Sequence, residues 1–162
     1  MRLEDAVVIA SGWPDSRAYW MHIENMVQKL DALNRALMFG VDGVERTNKR
    51  AIQPLVKDPT SAQAIAHQGA VKAYESMKSE REATIIELGA ALVLIEGIRA
   101  ALGHKYADVL EMRHIDRFKW SLIAYELGVS RREAFRVLNV VNDWIDSYGW
   151  HALVSGKGTA GN

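Results

Sequence analysis

The run from Trp120 to Asn142, WSLIAYELGVSRREAFRVLNVVN, constrains this chain more than any other stretch. It reads as a short helix, a turn centred on Gly128, and a second helix. Ile123, Ala124, Leu127, Val129, Ala134, Val137 and Leu138 fall at the inward positions of two helices crossing steeply. Ala124 is small enough to let the second helix come close. Gly128 suits the left-handed conformation that closes a helix. Ser130, with Glu133 three residues on, has the spacing of a capping box. That order of signals is the spacing of a helix-turn-helix, whose second helix enters the major groove of DNA.

The outward residues of the second helix suit that role. Arg131, Arg132, Phe135, Arg136 and Asn139 face away from the expected core. Arginine pairs bidentately with guanine edges or phosphates, and asparagine suits adenine. Ser130 and Asn139 are expected to assist, while Arg117 and Lys119 touch the flanking backbone. Phe135 has two readings, contact with a thymine methyl or packing beside the preceding helix, and packing fits its size better. Two helices joined by Gly-Val-Ser also occur in ordinary helical domains; the cap, the small Ala124, Gly128 and three arginines on one helix together make the case.

Charge limits how such a domain binds. The chain has 20 Lys/Arg and 20 Asp/Glu, a net charge of +0. Residues 1–103 carry 12 basic against 13 acidic side chains, and residues 104–151 carry 7 of each. Between 113 and 136, however, six basic residues stand against three acidic ones. One copy is therefore expected to make few phosphate contacts and bind weakly, with dimerisation as the remedy.

The rest of the chain reads as helix. Residues 2–10 are expected to form a short helix broken at Gly12-Trp13-Pro14. Asp15 or Ser16 caps a helix from about Arg17 to Phe39, with Ile23, Met26, Val27, Leu30, Leu33 and Leu37 in one apolar stripe, ended by Gly40 and Gly43. Residues 40–59 lack periodicity and read as an irregular linker carrying Glu45, Arg46, Lys49 and Arg50. A long helix follows from Thr60 or Ser61 to about Leu102, with a stripe at Ile85, Leu88, Leu92, Ile95, Ile98 and Leu102. Gly103 breaks it. Another helix spans His104 to Ile115, and the last one runs past Trp144 to Tyr148. The Gly-rich tail, residues 151–162, is expected to be flexible.

This gives an all-α fold. Residues 1–103 form an N-terminal antiparallel helical hairpin of coiled-coil type, and residues 104–150 a C-terminal helix-turn-helix domain. The longer rod leaves apolar surface uncovered, which calls for a further partner, either the C-terminal domain or a second protomer, and a homo-oligomer through the long helices is expected. With no cysteine, no leader-like start and no apolar run near 20 residues, the expectation is a cytoplasmic protein with no membrane contact.

Enzymatic signatures do not emerge. His104, Asp108, Glu111 and His114 share one helix, and Glu111-x-x-His114 has the form of half a di-iron site, but no second Glu-x-x-His exists. These four are expected on a solvated helix face. No phosphate-cradling glycine loop, nucleophile elbow or dinucleotide fingerprint occurs. The expectation is no catalysis, no metal and no cofactor.

The run from Tyr106 to Ile145, with LEMRHID leading into WSLIAYELGVSR, resembles the DNA-binding domain 4 of sigma factors, and is most similar to the phage-encoded ArpU/RinA transcriptional regulators. The specific part covers about forty residues. The resemblance implies a phage or prophage regulator of late or packaging genes that acts at promoter DNA, with RNA polymerase as a further partner. Ala134, where many relatives carry a larger aliphatic, and the acidic Asp143 and Asp146 depart from that pattern. Two other readings fit a helical assembly region joined to such a domain. One is a small terminase-like DNA-packaging subunit, although that order usually places the DNA domain first. The other is a protein-binding module without DNA binding, which the charge balance favours.

Overall fold

The computed structural model describes residues 1–51 and 61–156; side chains of residues 40–51 and 61–62 lie outside that description. Every described element is helical. The order is α1 (Leu3–Ser11), α2 (Ser16–Ala51), α3 (Ser61–Leu102), α4 (His104–Leu110), a π-helical turn (Glu111–Ile115), α5 (Trp120–Leu127), α6 (Arg131–Tyr148) and α7 (Ala152–Ser155). Among the described residues no helix is long and apolar enough to cross a membrane.

Several boundaries differ from those the sequence suggests, each for a physical reason. α2 does not stop at Phe39 but runs on to Ala51 through Gly40 and Gly43. A glycine inside a helix costs only about 1 kcal/mol relative to alanine and leaves the hydrogen-bond ladder intact. The first part of the expected linker is therefore helix, and residues 52–59 lie outside the described residues. The helix begun at His104 widens into a π turn at Glu111, where Asp116 N–H bonds Glu111 O at 3.0 Å. The expected flexible tail begins with α7, whose Ala152 and Leu153 are buried beside Trp150. Residues 157–162 lie outside the described residues.

The chain divides into two compact units, Met1–Val27 with Ile86–Asn162, and Gln28–Ile85. The division falls within both long helices rather than at Gly103. In the first unit α1, the start of α2, the end of α3 and all later helices share one apolar core. Ala6, Val7 and Ala10 come from α1, and Tyr19, Trp20 and Ile23 from α2. Ala90, Ala91, Leu94, Ile95 and Ile98 come from α3, followed by Leu110, Ile123, Ala134, Val137, Val141 and Ile145. The buried seam of α3 is thus rotated from the expected stripe, and Ile85 and Leu92 are exposed. Alanines at 90 and 91 carry it because small side chains let helices approach closely. Gly97 does the same for α1: a Cβ there would stand 2.8 Å from the Leu3 side chain.

The second unit is thinner. Lys29 pairs with Glu80, and Arg81 Nε donates to Asn34 Oδ1 at 2.6 Å. Leu33 and Thr84 are its buried side chains among the described residues.

Candidate nucleic-acid interface

α5 and α6 are joined as the local chemistry requires. Gly128 takes the left-handed conformation, φ 64° and ψ 33°. Gly128 N–H bonds Tyr125 O at 3.1 Å and Val129 N–H bonds Ala124 O at 3.0 Å, the paired closure that terminates a helix at a glycine. Ser130 is extended and its Oγ accepts from Glu133 N–H at 3.1 Å. The reciprocal half of the expected capping box is replaced. The Glu133 carboxylate turns to Lys105 at 3.5 Å and Arg136 at 3.7 Å. Ser130→Ala removes the acceptor of the Glu133 N–H and is expected to cost about 1 kcal/mol, read as a lower urea midpoint with unchanged slope.

α6 has two distinct faces. Ala134, Val137, Leu138, Val141, Asn142 and Ile145 are buried, so the helix is held from behind along its length. Arg131, Arg132, Arg136 and Asn139 are exposed on the other side. Arg132, Phe135, Arg136, Asn139 and Asp143 line one shallow open depression. Lys119 and Arg117 are also exposed, in the segment that enters α5. Arg117 has φ 58°, a left-handed backbone uncommon outside glycine, and it projects from a turn of unusual geometry.

Phe135 packs, as its size suggested. Its ring stacks on Trp120 with centroids 4.2 Å apart and remains 48% exposed. On Trp120 lies the Arg113 guanidinium, 5.2 Å from the ring centroid. Arg113 also donates to Phe118 O at 3.3 Å. That arginine belongs to the scaffold rather than the outward set.

The acidic end of α6 has a structural task. Asp146 Oδ1 accepts from Ser16 N–H at 2.9 Å, and Asp143 pairs with Arg17 at 3.3 Å. Ser16 Oγ donates to Asn142 O at 3.3 Å. Meanwhile Asp15 caps α2 from its own side, accepting from Ala18 N–H at 2.7 Å. Two carboxylates at the start of α2 meet its unpaired donors and positive dipole end. Asp146 is thus committed to anchoring α2, whereas Asp143, paired with Arg17, also lines the depression that holds Arg132, Arg136 and Asn139.

The His104–His114 set does not form a solvated face. Asp108 and Glu111 both hold Arg99 of α3. His114 is buried and bonded through Nδ1 to Glu24 at 2.8 Å, with Trp20 stacked on its ring. Spacing within one helix gave no sign of these partners from α2 and α3. No group of three or more His, Cys, Asp or Glu side chains able to hold a metal occurs among the described residues. No family model, characterised protein or solved structure matches this chain.

Proposed function

We propose that this protein is a sequence-specific DNA-binding transcriptional regulator that reads the major groove with α6. The observation that carries this reading is the division of α6. Arg131, Arg132, Arg136 and Asn139 are exposed on its first turns, while six buried residues hold its other face. A helix held from behind with exposed guanidiniums near its N-terminus is the arrangement that base-edge contact requires. Lys119 and Arg117 lie close in sequence to α5 and add backbone phosphate contacts. The resemblance of Tyr106–Ile145 to sigma domain 4 supports action at promoters, and the exposed Tyr125 and Leu122 of α5 offer a face to RNA polymerase.

A second copy is the partner proposed for the long helices, paired as an antiparallel hairpin. Met38, Phe39, Ile65 and Val71 of the second unit are exposed, more apolar surface than a two-helix unit leaves to water without a partner. Two reading helices also supply the phosphate contacts that one copy lacks.

The test is fluorescence anisotropy on duplexes spanning the promoters beside the gene, across a salt series. Binding is expected to weaken with salt, with a log–log slope of about 3–5 per protomer, one contact per basic group. Affinity that neither responds to salt nor distinguishes these duplexes from random DNA contradicts the reading.

A further inference from the structure

The sharpest unexplained feature is a buried histidine paired with a half-buried glutamate where α2 meets the turn that leads into α5. His114 is 8% exposed and lies in the π-helical turn Glu111–Ile115. Its Nδ1 stands 2.8 Å from Glu24 Oε1, and Arg113 of the same turn reaches Glu24 at 3.9 Å. Trp20 of α2 stacks on the imidazole, centroids 5.6 Å apart and planes 17° apart. Nε2 on the far edge is buried and has no hydrogen-bond partner among the described residues. Nδ1–H is thus the donor in the neutral ring, and Nε2 is an unmet acceptor.

This rests on the DNA-binding reading of α6. We propose that Glu24 and His114 are a positioning pair for that reading, fixing the π turn, and with it the entry of α5 and α6, to α2. The pair holds only while His114 is neutral. A proton can add only at Nε2, which creates a buried N–H with nothing to accept it. The cost of such a group is that of an unpaired buried charge donor, so the turn must open to hydrate it. The charged groups facing the ring act in opposite directions, and burial is the largest influence. Burial pushes His114 below its ordinary pKa of 6.5; the hydrogen bond and charge of Glu24 oppose this, and Arg113 adds to it.

The sign follows from that direction. A histidine whose folded pKa is lowered leaves stability complete above its unfolded value. Stability is lost as pH falls from about 6.5 toward the lower folded value. Acid should therefore release the joint and weaken DNA reading without touching any residue at the DNA surface.

The experiment compares, within each protein, DNA affinity at about pH 7.5 and about pH 5 at constant salt. The native chain is expected to lose roughly tenfold in affinity. His114→Gln, which keeps a side-chain amide to donate to Glu24 and cannot titrate, is expected to show a ratio near one. Glu24→Gln keeps an acceptor for Nδ1–H but removes the charge that favours imidazolium, lowering the folded pKa further, so its loss begins in the same range and is at least as large as that of the native chain. Identical pH ratios in the native chain and His114→Gln overturn the proposal. Amide hydrogen exchange of residues 111–127 provides a reading without DNA. Protection that falls on acidification in the native chain supports the joint even if no duplex binds, and protection unchanged by pH overturns it even if one does.

Discussion

Trp20→Ala is expected to cost about 3–5 kcal/mol of folding stability, most of what a domain this size can lose and stay folded. Trp20 is fully buried and its ring touches three others: Tyr19 at 5.1 Å, Trp150 at 5.9 Å and His114 at 5.6 Å between centroids. Those partners come from α2 itself, the segment before α7 and the π turn. A cavity there cannot collapse from one side alone, because the walls belong to helices fixed elsewhere in the core. Thermal unfolding followed by circular dichroism should show the midpoint falling by roughly 10–20 °C. A fall of only a few degrees would mean that the first turns of α2 do not form part of the core of α4–α7.

Ala134→Leu is expected to lower both stability and DNA affinity. Ala134 is fully buried in the first turn of α6, directly behind the exposed arginines. Three added carbons have no space there, and overpacking of this kind costs about 1–3 kcal/mol. The strain is relieved by pushing the N-terminal end of α6 outward, the end with the least support beyond the Ser130 cap. DNA affinity should therefore fall by roughly tenfold or more, since base contacts worth about 1–3 kcal/mol each depend on that placement. The measurement is affinity alongside urea unfolding. Lost stability with full affinity would separate the crossing of α5 and α6 from the DNA surface.

What the sequence made legible was the local chemistry. Gly128, Ser130 and the inward residues of α5 and α6 are each decided by neighbours within a turn or two. The structure places them as those rules require. The capping and start of α2 at Asp15 and Ser16 were legible for the same reason. Long-range pairings were not. Nothing near His114 in sequence announces Glu24, and nothing near Asp146 announces Ser16, 130 residues away. The same blindness placed His114 on a wet surface. Glycine misled differently: Gly40 and Gly43 lower helix propensity without ending a helix whose flanks favour it. At the tail, Trp150 and Leu153, three residues apart, were the available sign of a buried turn.

α6 is anchored at its acidic end by α2, at its middle by the core, and at its start by a serine cap. Removing charge from its outward face therefore need not disturb its fold. Arg131, Arg132 and Arg136 all stand outside that framework, Arg136 with 76% of its side chain exposed.

The most direct measurement is anisotropy across a salt series on the native protein and on the triple variant Arg131→Ala, Arg132→Ala, Arg136→Ala, with helicity matched by circular dichroism. Loss of these contacts is expected to weaken binding by at least about a hundredfold and to flatten the salt slope by about three. Equal affinity and equal slope in the two proteins would contradict α6 as the reading helix.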